Sequence, residues 1–183
     1  QVLEEGHTLV IGWSPQVFTV VREICAANVS RGGGCIVVFA DRDKVEMEDE
    51  LRAKVRNRGR TRVVVRSGDP TDPDALEVVA PEHARSIVVL AETDATTDTG
   101  VIRCLLAIGR RGPPSFTGRH IATQLFDGSN VAVANMAGAG RVEAIEVDGL
   151  IAKIAVQTCL QAGLSVVYEE LLGFEGDEIY IVP

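Results

Sequence analysis

Along this chain, short continuous apolar runs alternate with segments whose apolar residues recur every three or four positions. Thr8 to Ile11 is an apolar run with β-branched residues that ends on Gly12. From Val17 the apolar residues fall at 17, 20, 21, 24 and 25, which predicts a buried strand, a tight turn and a helix with one apolar face. Further strands are predicted over Cys35 to Ala40, Thr61 to Arg66, Ser86 to Ala91, His120 to Phe126 and Arg141 to Val147. The second and fourth runs are continuous rather than alternating, so their strands are buried on both faces and the sheet is parallel. Helical segments are expected from Asp43 to about Arg58, from Asp72 to Val79, up to about Arg110, and from Ser129 to Gly138. The result is an α/β fold: a Rossmann-like, doubly wound parallel sheet over residues 6–147.

The pattern changes at Asp148, which can cap a helix running to about Gln161; Gly163 breaks it and Leu164 to Leu172 forms a second helix. Glu178 to Val182 reads as a strand with no partner after it. Residues 148–183 are therefore expected to be a helix-turn-helix appendage followed by the start of a truncated second lobe. Ile154, Leu160, Leu164, Val167 and Leu171 either pack on a neighbouring subunit or within this chain.

Composition adds class. Over 183 residues, 46% hydrophobic and 24% charged argue a packed core, and the net charge of −8 disfavours nucleic acid as a partner. The longest apolar runs fall far short of the roughly 20 residues that cross a bilayer. The opening QVLEEG lacks the features of a secretion signal, and a start on Gln suggests a piece of something longer. Cys25, Cys35, Cys104 and Cys159 lie in apolar stretches without a CxxC pair, which reads as buried, reduced thiols.

The chemistry converges on the carboxyl edge of the sheet. A dinucleotide turn wants three glycines; here it reads Gly12-Trp13-Ser14-Pro15-Gln16-Val17, with one glycine and a proline that removes an N–H donor. Adenine nucleotides such as NAD are therefore disfavoured. Asp41, Asp43, Asp69, Asp72, Asp74, Glu92, Asp94, Asp98 and Asp127 stand at the same edge, where a hard cation would find oxygen ligands and where several would also cap helices. Calcium is the preferred cation, with Asp69, Glu92 and Asp94 as its candidate ligands. The candidate ligand-binding set is Gly12, Trp13, Ser14, Asp41, Arg42, Gly68, Asp69 and Glu92. There is no P-loop, GxSxG or HExxH, and the isolated His7, His83 and His120 read as strand-edge or loop residues, so no enzyme is expected.

Several stretches resemble the Castor and Pollux family of ion channels: His7 to Ser14, Ala40 to Lys44 with Glu46 to Glu48, Arg66 to Pro70, and Leu171 to Glu175. The resemblance implies a regulatory domain of the kind that controls potassium conductance, in a tetrameric cation channel, with a Rossmann-like lobe, a dimerising helix-turn-helix and a second lobe. It also implies self-association, a membrane pore outside this chain, and a position on the cytoplasmic side. The function expected is ligand-sensing gating, in which ion or nucleotide binding is coupled to pore opening. The alternative on the same fold is an NAD(P)-dependent oxidoreductase or other nucleotide-binding enzyme.

Overall fold

A computed structural model describes residues 5–92, 98–110 and 120–174. The sheet is built from β1 (Thr8–Ile11), β2 (Gly34–Ala40), β3 (Thr61–Ser67), β4 (Ser86–Val89), β5 (His120–Leu125) and β6 (Val142–Glu146). Their order is β3-β2-β1-β4-β5-β6, and every neighbouring pair is parallel. The helices are α1 (Gln16–Val29), α2 (Lys44–Lys54), α3 (Thr99–Gly109), α4 (Val131–Ala137), α5 (Val147–Leu160) and α6 (Leu164–Leu172), joined by short 3-10 turns.

Alternation along each strand divides the core in two. Val10, Ile36, Val38 and Val65 face α1 and α2, meeting Val17, Val21, Met47 and Leu51. Leu9, Ile11, Val37, Phe39, Ile87 and Val89 face the opposite layer, meeting Leu76, Val79, Leu105 and Ile108. Both sheet faces are thus covered, as a fully parallel sheet requires. His7 is not a strand-edge residue in solvent: it is fully buried, and its Nε2 donates to the Val79 carbonyl at 3.1 Å.

Two helices differ from the sequence reading. The helix after the second strand stops at Lys54 instead of continuing to Arg58, because Val55 leaves helical geometry (φ −115, ψ 82) with its side chain buried. Arg56 and Arg58 consequently lie beyond the helix, where each donates back to a carbonyl three residues earlier. The expected Glu50–Lys54 pair forms at 3.2 Å, whereas Arg52 pairs with Asp49 at 3.1 Å and not with Glu48. The segment predicted as one helix from Asp72 forms a 3-10 turn over Ala75–Val79, with a second over Pro81–His83.

The last strand runs directly into α5, whose cap is Glu146 and not Asp148: a Glu146 carboxylate oxygen accepts the Gly149 N–H at 2.8 Å. Gly163, at φ +88, turns the chain into α6. No residue of this hairpin is buried, and a cleft of about 280 Å³ separates α6 from Arg22 and Ala26 of α1. The predicted strand from Glu178 lies outside the described residues, as does the loop over 111–119. Cys25 and Cys104 are buried as expected, but Cys159, on this uncovered hairpin, is exposed.

Candidate functional site

Ligands of open α/β sheets bind beyond the carboxyl ends of the strands where strand order reverses, and here that point lies between β1 and β4. A cavity of about 300 Å³ occupies it. Ile11 and Gly12 from β1 and Val89 to Ala91 from β4 supply its apolar wall. Asp41 follows β2, Asp69, Pro70 and Thr71 follow β3, Glu92 follows β4, and Gly100, Val101, Arg103 and Cys104 come from the first turns of α3.

Four of the predicted ligand-binding residues, Gly12, Asp41, Asp69 and Glu92, meet in this cavity. Trp13, Ser14, Arg42 and Gly68 are not among its lining residues, for separate physical reasons. Trp13 is buried against α1, edge-on to Phe18 with ring centroids 5.5 Å apart. Ser14 is buried, and its hydroxyl donates to Gln16 Oε1 at 2.6 Å. The Arg42 guanidinium sits 5.7 Å from the Trp13 ring centroid and within 4 Å of Glu46 and Glu50. Gly68 makes room for the Phe39 ring, which a Cβ would meet at 2.8 Å.

The turn from Gly12 to Val17 is a poor anion cradle. Gly12 spends its N–H on the Phe39 carbonyl at 2.9 Å, Val17 spends its own on Ser14 at 3.0 Å, and Pro15 has none. Pro15 is also the residue at the cap of α1, with no side-chain cap hydrogen bond. Gly12 is required for another reason: at φ +97, an added Cβ would be driven into the Leu90 carbonyl.

The rim carboxylates are mostly committed to local structure. Asp43 accepts the Val45 and Glu46 amides, Asp72 the Asp74 amide and Asp127 the Ser129 amide. Asp69 Oδ1 accepts from both the backbone N–H and the hydroxyl of Thr71, at 2.7 and 2.8 Å. These bonds, backbone first and then hydroxyl, hold the Asp69 carboxyl below its ordinary range, with the Arg103 charge adding to them against the opposing effect of burial. Among the described residues no three His, Cys, Asp or Glu side chains converge as a metal site, and Asp94 lies outside them. The calcium expectation therefore gains no support from the geometry.

Arg103, Thr71 and Cys104 were not anticipated. The Arg103 Nη2 donates to Thr71 Oγ1 at 3.4 Å, bridging α3 to the loop after β3. Cys104 is enclosed, and burial pushes its thiol up to about 12, so it lines the cavity as a neutral group. The signal for Arg103 was its spacing: with Val101, Cys104, Leu105 and Ile108 buried, positions 100 and 103 flank the apolar stripe at the end of α3 nearest the sheet edge.

Fold and crevice together define a Rossmann-like domain with its ligand crevice at the point where strand order reverses. The structure is similar to the TrkA-N domain of the inner membrane protein YbaL from Escherichia coli, with TM-score 0.61 and 14% identity over 85% of this chain and 98% of that one. It is similar also to the GsuK channel bound to NAD, with TM-score 0.52 and 22% identity over 78% of this chain and 22% of that one. Residues 148–183 match the family described as Castor and Pollux, part of voltage-gated ion channel. The probable ion channel CASTOR of Oryza sativa subsp. japonica is 36% identical over 99% of this chain, and the ion channel CASTOR of Lotus japonicus 34% identical over 99%. The chain belongs to the Castor and Pollux family, and it spans about a fifth of the length of these relatives, 20% and 21% respectively.

Proposed function

We propose that this chain is a ligand-sensing gating domain of a Castor- or Pollux-like cation channel. An adenine nucleotide in the crevice biases the relative orientation of copies joined through α5 and α6, and those copies act on a pore outside this chain. The relatives are named as ion channels, and among the described residues no helix is long and apolar enough to cross a membrane. The nucleotide class is supported by the position of the cavity and by the binding of NAD and of ADP to the similar GsuK channel. The mechanism needs no covalent chemistry, since a ligand shifts an orientation in proportion to its preference for one state.

The observation that carries the reading is the uncovered hairpin of α5 and α6. Leu150, Ile151, Val156, Leu160, Val166 and Leu171 are 46–74% exposed on two consecutive helices. Apolar exposure concentrated on two consecutive helices favours an association site over scattered single residues. The family resemblance makes a second copy of the chain the partner. Leu160→Asp and Leu171→Asp place a charge in that contact, which costs several kcal/mol when the contact is desolvated. Light scattering is expected to show an assembly for the wild type and a smaller mass for both variants. A wild type that stays monomeric at high concentration, with both variants unchanged, would refute the reading.

A further inference from the structure

The crevice poses an electrostatic question that its position alone does not answer. Asp41, Asp69 and Glu92 line it, and carboxylates accept hydrogen bonds without donating them. They suit the hydroxyl and amino groups of a nucleoside and repel a phosphate. The usual refuge for that phosphate, the turn into the first helix, is poorly furnished here: the Gly12 and Val17 amides are spent within the protein and Pro15 has none.

Arg103 is the one basic side chain among the described residues that line the cavity. It is exposed on α3, and no described carboxylate lies within 4.0 Å of its guanidinium. Among the described residues it makes one hydrogen bond, to Thr71 Oγ1, which uses a single donor of five. Thr71 in turn donates to Asp69, so Arg103, Thr71 and Asp69 form a hydrogen-bonded chain along the lining of the cavity. A planar guanidinium is the side chain best matched to phosphate oxygens.

We propose that Arg103 is the phosphate anchor of the crevice, and that the site takes a nucleoside monophosphate bound with its phosphate on the α3 side. The inference rests on the nucleotide reading above and deepens it. Size agrees: at about 300 Å³ the cavity stands at the lower end of the roughly 300–1,000 Å³ range of small-ligand sites. It holds one nucleotide and leaves the second half of a dinucleotide outside. The charges agree as well, with acceptors for the nucleoside at Asp41 and Glu92 and a cation for the phosphate at Arg103.

The test is calorimetric titration of AMP and, separately, adenosine into the wild type, Arg103→Gln and Arg103→Lys. Because Arg103 is exposed, both variants are expected to keep the wild-type melting temperature. Arg103→Gln should weaken AMP roughly ten- to hundredfold, as expected for losing a charge-assisted contact, and leave adenosine unchanged. Arg103→Lys should recover part of the loss, since a lysine supplies charge without the planar fork. Equal AMP binding by wild type and Arg103→Gln would overturn the anchor while leaving the nucleotide reading intact. An equal loss for AMP and adenosine would also overturn it, because Arg103 would then be shaping the crevice without reading the phosphate. A wild type that binds neither compound overturns the nucleotide reading and the anchor with it.

Discussion

The Asp98 carboxylate accepts the backbone N–H of Phe126 at 2.8 Å, fastening the start of α3 to the end of β5. Asp98 is 2% exposed, and it takes two further bonds, from the Asp127 amide at 3.1 Å and from Asn130 Nδ2 at 2.7 Å. It makes no cap hydrogen bond to its own helix, so an aspartate placed where sequence expects a helix cap instead organises a neighbouring loop. Because α3 carries Arg103, this buried carboxylate also sets the wall of the crevice.

Asp98→Ala leaves two amides and a side-chain amide without their acceptor. The expected cost is about 2–4 kcal/mol, the range for breaking a buried, charged hydrogen-bond network. Urea unfolding measures it directly. A loss within about 0.5 kcal/mol, the size of an ordinary surface substitution, would show that the network contributes little.

The centre of the sheet was legible because β1, β2 and β4 are short apolar runs of strand length, and β1 falls on the predicted Thr8 to Ile11. The crevice was legible only where a residue follows a strand directly, as Asp41, Asp69 and Glu92 do. Helical contributions depend on rotational phase: α3 presents Arg103 and Cys104 to the cavity, while Arg42, one residue past Asp41, is drawn over Trp13. The helix expected to run from Asp43 to about Arg58 ends at Lys54, because the buried Val55 side chain takes the chain out of helical geometry. Asp43 does cap its helix as read, but the cap of α5 moved to Glu146, since either acidic residue satisfies the same pattern.

Gly12→Ala tests whether the glycine of the first turn is structural. The left-handed φ and the approach of the Leu90 carbonyl both oppose a Cβ, so a loss of about 2 kcal/mol or more is expected. The melting temperature should fall in the absence of any ligand. An unchanged melting temperature would return the glycine to a binding role.

Asp69 provides a pH signature. Its carboxyl is held low by the Thr71 amide first and the Thr71 hydroxyl second, so its contribution to stability is fully present above the ordinary unfolded value of about 3.9 and is lost as pH falls through the lower folded value. Thr71→Val keeps the amide bond and removes the hydroxyl. NMR titration should therefore place the Asp69 midpoint in the variant between the wild-type value and the ordinary one. A midpoint unmoved by Thr71→Val would assign the shift to the backbone alone.

The cysteines report burial independently. In dilute, dissociated protein a maleimide should modify Cys159 first, and Cys25 and Cys104 only on unfolding, because both are buried and burial raises each thiol. Mass spectrometry of the native, partly labelled protein reads the order. Labelling of Cys104 ahead of Cys159 would contradict the packing of α3.

The central claim is that occupancy of the crevice changes how paired copies are oriented. A spin label at Arg52→Cys, in a Cys35→Ala and Cys159→Ser background, reports the separation of two lobes from an exposed position on α2. Distance measurements by pulsed electron resonance, with and without saturating AMP, should show two separations whose populations shift with ligand. Saturation of the crevice by AMP with an unchanged distance distribution would contradict the account.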